Sequence, residues 1–429
     1  MQDFIEIIGG RSLKGEVCVG GAKNAVLPML IASLLTADRV TYTNVPNLQD
    51  VSLLVHLLEH FGGIVNYKLG EIKVETPKLV STEASYSLVK AMRASFWVLG
   101  PLLARAGQAQ VALPGGDIIG VRPVDLHISA LEQMGAEISI KHGIVYATAK
   151  HGLKPANINL KFPSVGATHQ ILLAASLVSG TTKISNAAKE PEVIALADLL
   201  NKMGASIEGA GTDTIVISGR KELKGAEVSI IGDRIEAATY LCSGLITNGD
   251  IKVTGFNPLH LGNFIEILKK TGAELEVGEN FILAKRNSEI FPVHVQTEPF
   301  PGLATDIQAP LMAYLTLANG QSTIEETIFE GRFGHVAELI RMGADIKING
   351  KIAEINGVKS LSGAAVQATD IRAAASLVIA GLAAEGTTQI HEPFHIRRGY
   401  SDLEEKMRSL GAEIRTKISD AEDYIYTGC

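Results

Sequence analysis

The chain has 429 residues, of which 46% are hydrophobic, 20% charged and only 5% aromatic, with 43 glycines; this excludes a disordered polymer and describes a turn-rich globular protein. Its 39 Lys and Arg against 46 Asp and Glu leave a formal charge of −7, which excludes a general attraction to nucleic acid and demands a locally basic pocket for any anionic ligand. At roughly 150 residues per domain the length allows about three domains.

The most apolar stretches, Leu27 to Leu35 and Ala373 to Ala384, stop well short of the roughly 18 to 20 residues that span a bilayer. The opening MQDFIEIIGGRSLKG lacks a basic region followed by an apolar core, so no signal peptide and no membrane partner are expected and the expected location is cytoplasmic. Cys18, Cys242 and Cys429 follow no CxxC or other ligand spacing, so free thiols are expected, without disulfide or metal.

In chain order, the strand EVCVG carries Cys18, expected to be packed, and Lys23 to Leu35 follows as an apolar helix. HLLEH then places His56 and His60 on one helix face, without the HExxH glutamate or a third ligand. Lys90 to Ala106 reads as a second apolar helix, with Trp97 one turn after Arg93 and available to brace it, a position that core packing explains equally well. Between Leu113 and His127, LPGGDIIGVRPVDLH sets glycines around Asp117 in a loop suited to a moving lid. Pro123 and Asp125 open the next helix, and the alternating Glu137-Ile138-Ser139-Ile140 reads as a strand. Further apolar helices are expected at Val165 to Val178, Arg234 to Thr247 (with Cys242 in the core), Asp306 to Ala318 and Asp370 to Ala384. A more polar helix carries Ile194, Ala197, Leu200 and Met203 at helical spacing. FEGRFGH and HIRRGY place Arg332, Arg397 and Arg398 in late loops.

A repeat unifies these elements. HFGGIV, QMGAEI, KMGASI, KTGAEL, RMGADI and SLGAEI recur with first glycines at 62, 135, 204, 272, 343 and 411. Each glycine suits the left-handed residue that ends a helix before a strand. Six α/β units of about 70 residues imply several small mixed sheets around buried helices, and not one doubly wound sheet. Two lobes of three units with a cleft between them is the economical grouping.

Polar residues that differ between repeats at one location are the candidates for function. The buried-helix starts carry Lys23 and Asn24, Arg93, Ser164, Asp233 with Arg234 and Glu236, Asp306, and Asp370 with Arg372. Ser164, Asp306 and Asp370 read equally as plain helix caps. Lys23 and Arg93 oppose the helix dipole, so a phosphate or carboxylate is expected beside them. Arginines in the loops of several repeats indicate an anion site. No Walker P-loop is present, because Gly21-Ala22-Lys23-Asn24 follows Gly20 where Lys-Ser is required.

GAKNAVLPMLIASLL, AMRASFWVLGPLLA, LPGGDIIGVRPVDLHISALEQMGA, FPSVGATHQ, ATDIQAP, FEGRFGH, ATDIRAAASLVIAG and HIRRGY, set in that sixfold repeat, resemble the UDP-N-acetylglucosamine 1-carboxyvinyltransferase family, which opens peptidoglycan synthesis. The resemblance runs essentially end to end. It implies an inside-out α/β barrel of two pseudo-threefold domains, one over residues 22–231 with the lid at 111–124, the other from 1–21 plus 232–429, and an active site in the cleft between them.

It also implies transfer of enolpyruvyl from phosphoenolpyruvate to the 3′-hydroxyl of UDP-N-acetylglucosamine, without cofactor. By motif, Lys23, Asn24, Arg122 and Arg398 would hold phosphoenolpyruvate. Arg93, Arg122, Pro123, Val124, Asp125, Leu126, Ser164, Val165, Gly166, Asp306 and Ile328 would line the nucleotide-sugar site. Asp306 would be the base, Asp370 and Arg372 would support the centre, and Arg332 would contribute. Asp117 stands where most members have cysteine and would be the general acid, which implies resistance to fosfomycin, an alkylator of that cysteine. Arg397 stands where relatives are acidic and receives no role. A 5-enolpyruvylshikimate-3-phosphate synthase-like enzyme, against which Lys23-Asn24 replaces lysine-serine, and a non-catalytic nucleotide-sugar-binding paralogue remain as alternatives.

Overall fold

The computed structural model describes residues 3–117, 119–120, 123–286 and 289–418; Arg122 and Cys429 lie outside them. These residues form six four-stranded sheets, each with one parallel and two antiparallel strand pairs. In the unit ending at Gly219, for example, Asn157–Asn159 runs parallel to Gly180–Ser185, which pairs antiparallel with Thr214–Gly219. The parallel partners flank the buried helix Val165–Ala175. The crossover therefore places the apolar helix against its own sheet, and the expected several small mixed sheets are present.

The buried helices are Lys23–Ala32, Leu99–Ala106, Val165–Ala175, Arg234–Ile246, Thr305–Leu315 and Ile371–Ala383. Arg234–Ile246 is buried at every residue, which its lack of a polar face requires. The six repeat glycines all have positive φ, from +87° to +110°, and each follows the last helical turn before a strand, the conformation that glycine adopts without strain.

The helix expected over Lys90 to Ala106 is interrupted. A 3-10 turn, Arg93–Val98, precedes the α-helix Leu99–Ala106. The Ser95 hydroxyl donates back to the Met92 carbonyl at 2.5 Å, and Pro101 is accommodated only because it falls in the first turn, where no backbone N–H is needed. Cys242 is buried as expected, but Cys18 is exposed on its strand and is not a packing residue. HIRRGY is not a loop either: Arg397 and Arg398 ride the short helix Phe394–Gly399.

The chain divides into two compact units, each with its own hydrophobic core. One runs from Gly20 to Gly116 and resumes after the lid to end at Asp233; the other takes the N-terminal segment to Val19 and the chain from Arg234. Strands Asp3–Ile8 and Lys14–Cys18 belong to this second unit because they complete two of its sheets. Asp117, Ile119 and Gly120, of the expected lid, also cluster with it.

Candidate active site

In the unit that starts at Gly20, Lys23 begins its helix with the ammonium 2.9 Å from the Asp50 carboxylate; the two side chains are 10% and 1% exposed. The Lys23 backbone N–H donates to Asp233 Oδ2 at 3.0 Å. The anion demanded by a lysine at a helix start is thus first of all the protein's own, supplied by the initial turn of Gln49–His60. Sequence reading missed Asp50 because an acid in a first turn is ordinary. Asn24 follows in the same turn, partly buried.

Arg93 donates from Nη2 to the Pro123 carbonyl at 3.0 Å. Both line a pocket of about 640 Å³ with Val124, Asp125, Leu113 and Ile128. Four residues of the expected nucleotide-sugar set are therefore gathered in one place, where proline, valine, leucine and isoleucine offer an apolar wall beside a guanidinium. Leu126 follows, half-buried, within the helix Asp125–Gln133.

Ser164 is a true cap: its hydroxyl accepts from the Ala167 N–H at 3.2 Å. Trp97 serves the same turn, donating from its indole N–H to the Gly166 carbonyl at 2.9 Å. A Cβ at Gly166 would fall 2.9 Å from His127 Nε2, so only glycine fits between helix start and imidazole. Burial, reinforced by Arg93, lowers His127 to about 3, and burial lowers His169, edge-on to Trp97, to about 4. This platform beneath Val165 and Gly166 is neutral.

In the other unit, Asp306 is not a cap. Its helix starts at Thr305 after Ala304, and its carboxylate lies 2.6 Å from Arg332 Nη2 and 3.0 Å from Arg372 Nη2. Burial pushes this carboxyl up, but the Arg372 and Arg332 guanidiniums outweigh it and hold Asp306 well below its ordinary 3.8. Arg372 also donates to the Tyr400 hydroxyl at 3.2 Å. Asp370 caps its helix, accepting from the N–H groups of Arg372 and Ala373 at 2.8 and 3.1 Å. Ile328 lies half-buried in the turn leading to Arg332.

Asp117 accepts from Arg398 Nη1 at 2.6 Å. The lid tip is fixed to the Phe329–Arg332 turn as well, since Gly331 N–H donates to the Ile119 carbonyl at 3.2 Å. His395, on the Arg398 helix, has a buried Nδ1 with no hydrogen-bond partner among the described residues; burial lowers it, against the field of Asp117. Arg397 pairs at the surface with Asp3. Among the described residues no group of three His, Cys, Asp or Glu is disposed to hold a metal, and no helix is long and apolar enough to cross a membrane.

The sequence model of the family described as EPSP synthase (3-phosphoshikimate 1-carboxyvinyltransferase) matches residues 7–407. Among solved structures, the enolpyruvyl transferase NikO from Streptomyces tendae superposes with a TM-score of 0.88 at 26% identity, over 98% of this chain and all of that one. EPSP synthase from Acinetobacter baumannii superposes at 0.77 with 21% identity, over 97% of this chain and all of that one, which shows the fold alone. Curated relatives named UDP-N-acetylglucosamine 1-carboxyvinyltransferase are closer in sequence. That of Trichlorobacter lovleyi is 48% identical over 96% of this chain and 99% of its own length, and one from Staphylococcus aureus is 50% identical over 97% and 100%. The chain has the enolpyruvyl transferase fold and belongs to the UDP-N-acetylglucosamine 1-carboxyvinyltransferase family.

Proposed function

We propose that the chain transfers the enolpyruvyl group of phosphoenolpyruvate to the 3′-hydroxyl of UDP-N-acetylglucosamine and releases phosphate, the first committed step of peptidoglycan synthesis. The observation that carries this reading is the 50% identity to the Staphylococcus aureus enzyme of that name over 97% of the chain. In it, Lys23, Asn24, Arg122 and Arg398 bind phosphoenolpyruvate, while Arg93, Arg122 to Leu126, Ser164 to Gly166, Asp306 and Ile328 bind the nucleotide sugar.

The acceptor oxygen adds to C2 of phosphoenolpyruvate while a proton is delivered to C3, giving a tetrahedral ketal. Loss of a C3 proton then expels phosphate and restores the double bond. Asp306 takes the hydroxyl proton. Held as a carboxylate by two arginines, it is always in the basic form near neutrality, and its position is fixed from both sides. Asp117 delivers the proton to C3. Its pairing with Arg398 favours the carboxylate, which has no proton to give. Arrival of phosphoenolpyruvate, whose own carboxylate and phosphate compete for Arg398, frees Asp117 to take one up. Substrate binding thereby arms the acid. A carboxylate is a poorer nucleophile than a thiolate, so resistance to fosfomycin belongs to the same proposal. Cytoplasmic placement does too, supported by cysteines that follow no disulfide or metal spacing.

The test is phosphate release from phosphoenolpyruvate by the purified chain, with and without UDP-N-acetylglucosamine. Release only with that acceptor supports the reading, and no acceptor-dependent release overturns it. Shikimate 3-phosphate is the second acceptor to try, because the matching family model is described by that activity; Lys23-Asn24 at the helix start opposes it.

A further inference from the structure

Glu326 is 1% exposed, yet its carboxylate is fully engaged. Oε1 accepts from the Thr297 hydroxyl at 2.9 Å and from the N–H groups of Ile328 and Phe329 at 2.9 and 3.1 Å. Oε2 accepts from the Thr305 hydroxyl at 2.9 Å. Thr305 has one proton and gives it to Glu326, so its lone pairs face the other way, and there it accepts from Arg332 Nη1 at 3.0 Å. The second amino group of the same guanidinium holds Asp306 at 2.6 Å. The backbone of Thr327 is tied in too, donating to the Thr297 hydroxyl at 2.9 Å.

One buried carboxylate thus fixes two things at once. It sets the turn that carries Ile328, through two backbone bonds. It also sets the orientation of Arg332, through a hydroxyl that can only accept from the guanidinium because its proton is committed. A buried charge is retained only where its partners compensate its desolvation, and the four partners here are Thr297 after the strand His294–Gln296, Thr305 in the first turn of the Asp306 helix, and Ile328 and Phe329 in the turn before Arg332.

We infer that Glu326 is the positioning residue of this centre, aligning Asp306 for the acceptor hydroxyl through Thr305 and Arg332 without touching substrate. The inference rests on the proposed transferase activity. If Asp306 must meet a reacting oxygen within a narrow geometry, loosening its support costs turnover more than binding.

Steady-state phosphate release with both substrates tests this on the full chain, using Glu326→Gln, Thr305→Val, Thr305→Ser and the Glu326→Gln/Thr305→Val double variant. Misalignment of a catalytic group by about 1 Å costs on the order of a hundredfold. The expected result is therefore a fall in kcat of about tenfold to a hundredfold for Glu326→Gln and Thr305→Val, with KM for UDP-N-acetylglucosamine changed less than about threefold. Thr305→Ser, which keeps the hydroxyl, should stay within about threefold of the unsubstituted chain, and the double variant should be no worse than the weaker single one, since both cut one chain of contacts. Undiminished kcat in Thr305→Val, losses that multiply in the double variant, or a Thr305→Ser as impaired as Thr305→Val would each overturn the inference. Absence of acceptor-dependent release by the unsubstituted chain would instead remove the transferase reading, and this inference with it.

Discussion

Arg398 and Asp117 lie 281 residues apart in sequence, yet their side chains meet at 2.6 Å and are only 10% and 18% exposed. The partner that the sequence offered for the anionic substrate is in this state occupied by the lid's own carboxylate. The pair holds the loop around Asp117 against the Phe394–Gly399 helix.

An ionised carboxylate attacks an epoxide far less readily than a thiolate does. Fosfomycin should therefore leave activity unchanged after hours of incubation, while Asp117→Cys should be inactivated stoichiometrically with a matching mass increase and should retain turnover. Asp117→Ala should lose turnover. The measurement is residual phosphate release after incubation, with intact mass; a covalent label on Asp117 itself would refute the expectation.

The lid tip also depends on glycine. Gly120 has φ of +123°, and a Cβ there would sit 2.9 Å from the Glu330 carboxyl carbon. Gly120→Ala adds backbone strain of about 1 to 3 kcal/mol and makes the Glu330 carboxyl swing aside. The expected outcome is about a tenfold loss in kcat/KM for phosphoenolpyruvate with Tm nearly unchanged, because the lid contributes little to either core. Glu330→Ala in the same chain should recover part of that loss by removing the clash and leaving the strain.

Removing Asp50 should cost stability. Asp50→Asn leaves the buried Lys23 ammonium without its counter-charge, a change expected to destabilise by about 3 kcal/mol in urea denaturation. A Lys23→Met/Asp50→Leu double variant, which removes both charges and fills the space, should be more stable than Asp50→Asn alone. The opposite order would show that the pair is not a desolvated unit.

The fold was legible because its punctuation is chemical. Six glycines that must adopt positive φ sit at near-equal spacing, and six helices with no polar face can only be interior. At the helix starts the need of Lys23 for an anion was legible from the dipole it opposes, and Asp50 supplies one, whereas Arg93 donates to the Pro123 carbonyl. Partners were not legible. Asp50, Thr305 and Glu326 look like routine cap or strand-end residues, and their roles arise from contacts that span 21 to 27 residues of chain. Trp97 read equally as a brace for Arg93 or as core packing, and the 3-10 geometry of Arg93–Val98, which advances each residue by about 120° instead of 100°, takes its indole N–H to the Gly166 carbonyl. Arg398 was expected in a late loop, whereas it lies on the short helix Phe394–Gly399.

Stability should fall with acid earlier than carboxylates alone dictate. His127, His169 and His335 are 7%, 0% and 2% exposed. Burial is the main cause that lowers them to about 3, about 4 and about 4, respectively; at His335 Asp370 opposes the shift and Arg332 adds to it. In the folded chain they stay neutral where the unfolded chain protonates them near 6.5. The unfolded state therefore binds more protons below that value, and folding stability is present above it and lost as pH falls, by up to about 1.4 kcal/mol per pH unit for each histidine. Depressed carboxylates such as Asp306 act with the same sign, but only as pH falls below their ordinary values near 4, so the interval from pH 6.5 to 5 isolates the imidazoles. Urea denaturation at pH 7, 6 and 5 should show this slope, and His169→Phe, which keeps a ring against Trp97 and removes one proton site, should reduce it by about one imidazole's share. A slope unchanged by that substitution would mean His169 is protonated in the folded chain.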